Sequence, residues 1–240
     1  MTERFFALTD RGRRKPTNQD AVAVRALDGG YTLMVVADGV GGGRGGETAS
    51  SETVNAIVGD LSYLGVPDPA GSLRRAIKIA NRRVCDMARS QEQLSGMATT
   101  VVVALVKGQH AWIASVGDSR AYLCGRAGLA ALTEDDSWVA EQVRAGLLSP
   151  DEAAHSPYQN VITKGIGVED SLSIERIVET CIGSGDVLLL CSDGLYRAVS
   201  PAMVAETVAD GALDAVAARL VTLANEAGGP DNIGIALHRG

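Results

Sequence analysis

The sequence contains few of the residues that mark disulfide-bonded and zinc-binding proteins. It has three His, and its four Cys are scattered with no C-x-x-C pair. Scattered thiols in a chain of this size are typical of buried free cysteines in a reducing compartment. We therefore expect neither a disulfide framework nor a zinc site built from Cys and His.

Long apolar runs and a surplus of positive charge are also missing. No run approaches the ~18 apolar residues that a membrane-spanning helix needs, and the segment MTERFFALTDRGRRK lacks the apolar core of a signal peptide. The formal net charge of -7 disfavours nucleic acid as a ligand, because phosphate backbones are bound mainly by clustered Lys and Arg. We expect a soluble, cytoplasmic protein, monomeric in the simplest case, that binds neither nucleic acid nor membrane.

The apolar pattern predicts blocks of short strands separated by pairs of helices. Turn-like steps between consecutive strands favour antiparallel hairpins, so this order predicts an α+β fold with helices outside antiparallel sheets. No Pro- or Ser-rich linker divides the chain, so we expect residues 1–240 to form one domain. The predicted strands cover about 5–8, 21–26, 31–37, 98–106, 109–116, 119–124, 171–182, 187–191 and 233–237, and the predicted helices cover about 46–61, 72–89 and 201–227.

The most specific feature is a set of aspartates at strand ends. The run TLMVVADG stops at Asp38, HAWIASVGDS at Asp118 and VLLLCSDG at Asp193, while Asp231 and Asp20 each stand just before a strand. A single Asp beside Gly or Pro is ordinary turn chemistry. Several carboxylates at one end of a sheet would repel one another, and their pKa values would rise unless cations neutralised them. Bound divalent ions are the simplest resolution.

The type of ligand indicates the type of ion and reaction. Carboxylate, carbonyl and water oxygens suit Mg²⁺ or Mn²⁺, whereas zinc sites normally draw on His or Cys. Two such ions, roughly 3.5–4 Å apart, can hold a bridging hydroxide and stabilise an in-line displacement at phosphorus. Phosphate monoesters are among the slowest bonds to hydrolyse unaided, so their hydrolysis requires such concentrated charge.

The glycine stretch GGGRGG at 41–46 supports a competing prediction. It matches the G-x-G-x-x-G pattern of dinucleotide-binding folds and stands between a strand and a helix. Asp60 lies at about the distance expected of a ribose-binding acid, but at a helix end and before a second helix rather than a strand. No Lys-Ser or Lys-Thr follows the glycines, which excludes a P-loop. The remaining alternative is an NAD-binding oxidoreductase.

Six ordered segments resemble the bacterial branch of the PPM family, the type-2C metal-dependent protein phosphatases. The resemblance runs from about Thr9 to Leu237 and implies a four-layer α-β-β-α sandwich of two antiparallel sheets flanked by helices. It also implies hydrolysis of phosphoserine and phosphothreonine in proteins with Mn²⁺ or Mg²⁺, and a mobile flap over the active site at about 135–167. The matching segments are KPTNQDA, VVADGVGG, GMATTVVVAL, VGDSRAYL, LLLCSDGL and GGPDNI.

The resemblance assigns the core metal ligands residue by residue. Asp38 would bridge two core ions, with the carbonyl of Gly39 on one of them. Asp193 and Asp231 would complete the ligand set of the other ion. From the residues alone, Asn232 would either steady Asp231 or only shape the turn.

The resemblance also assigns the outer positions of the site. Asp118 would join Asp193 in an additional, weaker third metal position. Asp20 would hold metal-bound water or touch a metal directly. The family's phosphate-binding arginine is replaced by Lys15, which supplies charge without the bidentate fork of a guanidinium.

Four further departures from the family pattern surround these residues. Gln19 stands where many relatives carry Glu, and Val40 replaces a histidine that some eukaryotic members use as a general acid. Asp136 replaces a flap histidine, and Gly234 replaces a hydroxyl residue. None of these removes a core metal ligand.

These assignments imply an enzyme whose partners are phosphorylated Ser/Thr proteins, including a cognate Ser/Thr kinase or its target. Three alternatives stay open at this point. A catalytically impaired, phosphatase-like regulator would bind phosphoproteins without cleaving them. A phosphatase of the same chemistry would act on a small phosphorylated metabolite, and the oxidoreductase prediction would require a dinucleotide.

Overall fold

The chain forms two antiparallel sheets that carry helices on their outer faces. The structure, a computed structural model, describes residues 4–40, 44–126, 128–174 and 176–240. The strands are β1 Phe5–Asp10, β2 Asp20–Leu27, β3 Tyr31–Val40, β4 Ala98–Thr99, β5 Val101–Lys107, β6 His110–Val116, β7 Arg120–Gly125, β8 Gly128–Ala131, β9 Val178–Cys181, β10 Val187–Cys191 and β11 Ile233–Arg239. The helices are α1 Arg44–Leu64, α2 Pro69–Ser90, α3 Trp138–Arg144, α4 Pro150–Ala154, α5 Asp193–Tyr196, α6 Pro201–Ala209 and α7 Leu213–Glu226.

Strand pairing defines the two sheets. The first has the order β1-β11-β10-β7-β8 and the second has the order β2-β3-β5-β6-β9, with β4 paired to β3. Within the described residues every strand pair is antiparallel. A doubly wound dinucleotide fold requires parallel strands, so this topology excludes the oxidoreductase alternative. The glycine stretch that suggested it lies partly outside the described residues.

The core is divided into three apolar layers, which explains why the central strands are apolar on both faces. On β3, Leu33 and Val35 pack against the layer of α1 and α2, whereas Met34 and Val36 face the other sheet. Because successive side chains of a strand point to opposite faces, a strand covered on both sides reads as a continuous apolar run. The opposite outer layer, α6 and α7, packs on β10 and β11 through residues such as Leu189. This arrangement is the predicted four-layer sandwich.

The structure corrects several predicted boundaries. The helical tail predicted over 201–227 is two helices, because Gly211 adopts a φ of 103° that a right-handed helix cannot contain. The strand predicted over 98–106 is interrupted at Thr100. Before the interruption Thr99 pairs with Gly39 of β3, and after it Val102 pairs with Val36. The alternation predicted over 171–182 becomes a strand only at β9. Strand β8, an edge strand of four residues, was not predicted.

Residues 135–167, which we call the flap segment, lie between β8 and β9 in the chain. The flap segment contains α3 and α4 and rejoins the core where Thr99 and Ile166 exchange two backbone hydrogen bonds of 3.0 and 2.8 Å. The ring of Trp138 packs against that of Tyr158 with centroids 5.1 Å apart. Trp138 is therefore a packing residue of the flap segment. In the described part of the chain, no helix has both the length and the apolarity needed to cross a membrane.

Candidate active site

One cleft collects most of the aspartates that sequence analysis singled out. Asp20 opens β2 and lies directly opposite Asp38 in the β2–β3 hairpin, so both side chains share one face of the sheet. Asp193 begins α5 directly after β10, and Asp231 precedes β11. The neighbouring strands β10 and β11 therefore deliver these two carboxylates to the same edge as the hairpin.

The cleft has a volume of about 520 Å³ and opens between this edge and the flap segment. Asp20 is buried beside Asp38 and does not line it. Glu47 was not among the predicted site residues. The lining residues that bear on the chemistry are Lys15, Gln19, Asp38, Gly39, Val40, Glu47, Asp118, Asn160, Ile162, Asp193 and Asp231.

Burial and mutual repulsion raise the pKa values of the clustered carboxyls. Burial raises the pKa of Asp20 to about 7; the hydrogen bond from Ser192 opposes this, and the charge of Asp193 adds to it. The pKa of Asp38 is raised well above its ordinary value by burial and then by the charge of Asp20. Burial and Asp193 raise the pKa of Asp118 to about 6. The cluster therefore favours bound protons or bound cations over bare negative charge.

Two carboxylate oxygens of the cluster are buried without a hydrogen-bond partner, Oδ1 of Asp20 and Oδ1 of Asp193. Hard oxygen donors of this kind fit Mg²⁺ or Mn²⁺. Among the described residues, no group of three or more Asp, Glu, His and Cys side chains is arranged so that it could hold a metal ion. Two side-chain cations compete for the same carboxylates: Lys15 Nζ lies 2.6 Å from Asp231 Oδ1, and Arg197 pairs with Asp193. The donors fit divalent ions once Lys15 moves off Asp231.

Lys15 is held in place through its loop. Asn232 is buried and accepts a hydrogen bond of 2.8 Å from the backbone N–H of Gln19. Its amide nitrogen donates to the carbonyls of Arg11 and Thr17, at 2.8 and 2.9 Å. Asn232 therefore fastens the loop that carries Lys15 to the turn that carries Asp231, a role beyond the two that the sequence left open.

Three polar residues that sequence analysis missed support the aspartates. Ser192 donates a hydrogen bond of 2.6 Å to Asp20 Oδ2 and accepts one of 2.8 Å from Gly234 N–H. Thr100 Oγ1 accepts from the backbone N–H of Asp38 at 3.2 Å and lies 2.7 Å from Ser119 Oγ. Ser192 and Ser119 each stand next to a predicted aspartate in the chain, which is the signal that could have found them.

The departures from the family pattern have distinct surroundings. Val40 lines the cleft and has no proton to donate. Asp136 Oδ2 accepts a hydrogen bond of 3.2 Å from Gly117 N–H, which ties the flap segment to the turn that carries Asp118. A Cβ at Gly234 would lie 3.0 Å from Asp20 Oδ2, so this position favours glycine.

We expect metal binding and pH to control the stability of the protein together. The raised pKa values of Asp20 and Asp118 mean that the folded state retains protons that the unfolded state releases. Without metal, stability should therefore fall as pH rises from about 4 to about 7. Saturating Mn²⁺ should raise Tm by about 5 °C or more, with the largest gain above pH ~7, where protons no longer compete.

Thermal unfolding with EDTA and with Mn²⁺, across that pH range, measures both effects. Metal-free stability that rises with pH through this window would contradict the assignment of these carboxyls as a buried cluster.

Comparison with known proteins identifies the family. The family model for protein phosphatase 2C matches residues 9–228 of this chain. The serine/threonine phosphatase Stp of Listeria monocytogenes is 35% identical over 234 residues, covering 95% of this chain and 92% of the relative. The chain therefore belongs to the protein phosphatase 2C family.

Solved structures agree with this assignment. Phosphatase Stp1 from Staphylococcus aureus superposes with a TM-score of 0.93 at 30% identity, covering 100% of this chain and 95% of the other. The catalytic domain of phosphatase PstP, solved with two manganese ions, gives a TM-score of 0.87 at 30% identity and covers 98% and 97% of the two chains. The protein is a serine/threonine protein phosphatase that depends on Mn²⁺ or Mg²⁺.

Proposed function

We propose that this phosphatase cleaves phosphoserine and phosphothreonine esters at the aspartate cleft. Asp38 would contact both core ions, with the carbonyl of Gly39 on one of them, and Asp193 and Asp231 would complete the ligand set of the other ion. The supporting observation is that these residues line one cleft, in which the pKa values of the buried Asp38 and Asp193 carboxyls are raised and Oδ1 of Asp193 has no hydrogen-bond partner. We also propose that residues 1–240 act as one catalytic domain.

The bound ions would supply a hydroxide nucleophile at neutral pH and offset the charge that develops on phosphorus. The chain's residues orient the reactants. Asp20, held by Ser192, would accept hydrogen bonds from the ions' water ligands. Lys15 would leave Asp231 when the ions bind and place its ammonium against the phosphate. Val40 cannot protonate the leaving oxygen, so we assign that proton to solvent water.

Hydrolysis of p-nitrophenyl phosphate and of a phosphothreonine peptide tests the function. We expect both reactions to require Mn²⁺ and to stop with EDTA. Hydrolysis of the aryl phosphate without hydrolysis of the peptide would favour a metabolite as the substrate. A folded protein that binds Mn²⁺ and phosphopeptide without turnover would instead be the catalytically impaired regulator.

Replacement of Lys15 tests its assignment to the phosphate. Lys15→Met should raise KM for phosphopeptide about tenfold, because one charge-assisted contact is lost. It should also tighten Mn²⁺ binding, since the ammonium no longer competes for Asp231. Lys15→Arg should retain or improve KM, because a guanidinium binds phosphate with two parallel donors. Steady-state kinetics at saturating Mn²⁺ measures each effect.

Arg14→Met is the matched control, because Arg14 is an exposed cation next to Lys15 in the same loop. Equal KM values for the Arg14 and Lys15 variants would show that Lys15 is only a solvated loop charge.

The biological setting follows from the chemistry of the substrate. A phosphatase of this class acts after a protein Ser/Thr kinase, so its partners would be the proteins that such a kinase phosphorylates, or the kinase itself. We propose a monomer that acts in the cytoplasm. The formal net charge of -7 supports the expectation that nucleic acid is not a ligand.

A further inference from the structure

The side chain of Arg197 lies between two aspartates of the site. Its Nη2 lies 3.0 Å from Asp118 Oδ2, and its Nε lies 3.2 Å from Asp193 Oδ2. These are the two carboxylates that the family resemblance assigns to a third metal ion. A positive group therefore already pairs with both carboxylates that would hold that ion, and a cation brought to the same carboxylates would be repelled by it.

The same guanidinium also contacts the flap segment. Arg197 Nη2 donates to the carbonyl of Gln159 at 2.9 Å, and Nη1 donates to Oδ1 of Asn160. Asn160 lines the cleft. Arginine suits this position because its planar group carries five donors in a fixed arrangement. One side chain thus connects the two aspartates of the core with the part of the flap segment beside the cleft.

The neighbouring residue of α5 contacts a side chain that holds the other end of the flap segment. The guanidinium of Arg120 stacks on the ring of Tyr196, 3.7 Å from its centroid. Arg120 also donates two hydrogen bonds to the carboxylate of Asp135, at 2.9 and 2.8 Å. Asp135 is the first residue of the flap segment. Arg197 therefore contacts the flap segment directly at Gln159 and Asn160, and Tyr196 supports its first residue indirectly through Arg120.

We propose that Arg197 is a positioning residue that replaces the third divalent ion and fastens the flap segment at Gln159 and Asn160. The enzyme then works with the core ions alone, and the position of the flap segment depends on a protein side chain rather than on dissolved metal. This proposal rests on the assignment of the core ions to Asp38, Asp193 and Asp231.

Counting bound Mn²⁺ tests the first half of the proposal. Arg197→Met removes the charge and keeps a long side chain, and Arg219→Met is the control, because Arg219 pairs with Glu226 in an exposed position on α7. Titration followed by electron paramagnetic resonance of free Mn²⁺ should give two bound ions for the wild type and Arg219→Met, and three for Arg197→Met. A wild type that binds three ions, or an Arg197→Met variant that binds two, would overturn the proposal that Arg197 replaces the third ion.

Hydrogen–deuterium exchange of residues 155–163 tests the second half. Exchange should accelerate about tenfold in Arg197→Met and in Asn160→Ala, which removes a flap contact and leaves Asp118 and Asp193 intact. The Arg219 control should exchange as the wild type does. Unchanged exchange in Arg197→Met would show that Arg197 does not fasten the flap segment.

Two further variants keep the result interpretable. If Arg197→Met does not fold, Arg197→Lys takes its place. It should still exclude the third ion, because it retains the charge. Exchange of residues 155–163 should nevertheless accelerate, because an ammonium lacks the planar set of donors that contacts Gln159 and Asn160. Asp38→Asn should lose core ions whatever Arg197 does. Retention of both core ions in Asp38→Asn would therefore count against the core assignment and not against Arg197.

Discussion

Replacing Asp38 with Asn should lower kcat/KM for a phosphothreonine peptide by about 1,000-fold or more at saturating Mn²⁺. Asp38 is the one carboxylate assigned to both core ions, and an amide oxygen supplies neither its charge nor its bridging geometry. The same change should leave the Tm of the metal-free protein unchanged or raised near neutral pH. The reason is that the fold no longer has to bury a carboxyl whose pKa is raised by burial and by Asp20.

The combination of lost activity and retained stability is the informative result. Steady-state kinetics and thermal unfolding in EDTA measure the two quantities on the same preparation. Asp210→Asn, in the exposed turn between α6 and α7, is the matched control and should change neither. Full activity of Asp38→Asn at saturating Mn²⁺ would remove Asp38 from the reaction centre. A Tm that falls by several degrees would instead assign it a structural role.

Replacing Gly194 with Ala should produce a different pattern, a loss of both stability and activity. A Cβ at this position would lie 1.9 Å from the carbonyl oxygen of Asn232. Because the clashing atom belongs to the backbone, the clash can be removed only if α5 moves away from the Asp231–Asn232 turn. Such overpacking costs about 1–3 kcal/mol, or a Tm lower by about 5 °C. Because Asp193 and Asp231 lie on the two sides of this contact, we expect kcat/KM to fall about 100-fold.

Gly59→Ala provides the comparison for this prediction. Gly59 lies inside α1, and no atom lies within 4 Å of a Cβ built there. Alanine should stabilise this helix position by about 0.5–1 kcal/mol and leave activity unchanged. If Gly194→Ala behaved as Gly59→Ala does, the close approach of α5 to the turn would not constrain the site.

The strand-end aspartates were predictable because their signal is local. A buried strand reads as an apolar run, and an acid at its end marks an end of the sheet, so Asp38, Asp118 and Asp193 could each be singled out from the local pattern. That the three meet at one end depends on strand pairing and sheet packing, which the local pattern does not give. The relative orientation of the sheets is not local, and the four layers were predicted only through the family resemblance. The split of the C-terminal helices and the strand β8 were missed because one glycine and a weak edge strand carry little pattern.

The supporting contacts were not predictable for a different reason. Arg197 follows Asp193 by one helical turn, a spacing that indicates an ion pair on any helix. Its contacts with Asp118 and Gln159 span 79 and 38 residues of sequence. Asn232 likewise acts through backbone groups of a loop more than two hundred residues away. Arg197 and Asn232 are not assigned to the reaction itself. Only the fold shows that they position the residues that are.

The register of the β2–β3 hairpin determines where this chain tolerates changes in length. Asp20 and Asp38 are paired at the open end, and the turn Asp28–Gly30 closes the other end, seven pairs further along. An insertion at that turn leaves every pair above it intact, so homologous chains and engineered loops can vary there freely. A single-residue deletion inside either strand would reverse the faces of all residues beyond it and turn one carboxylate away from its partner. Evolution can therefore lengthen this hairpin only at the end remote from catalysis.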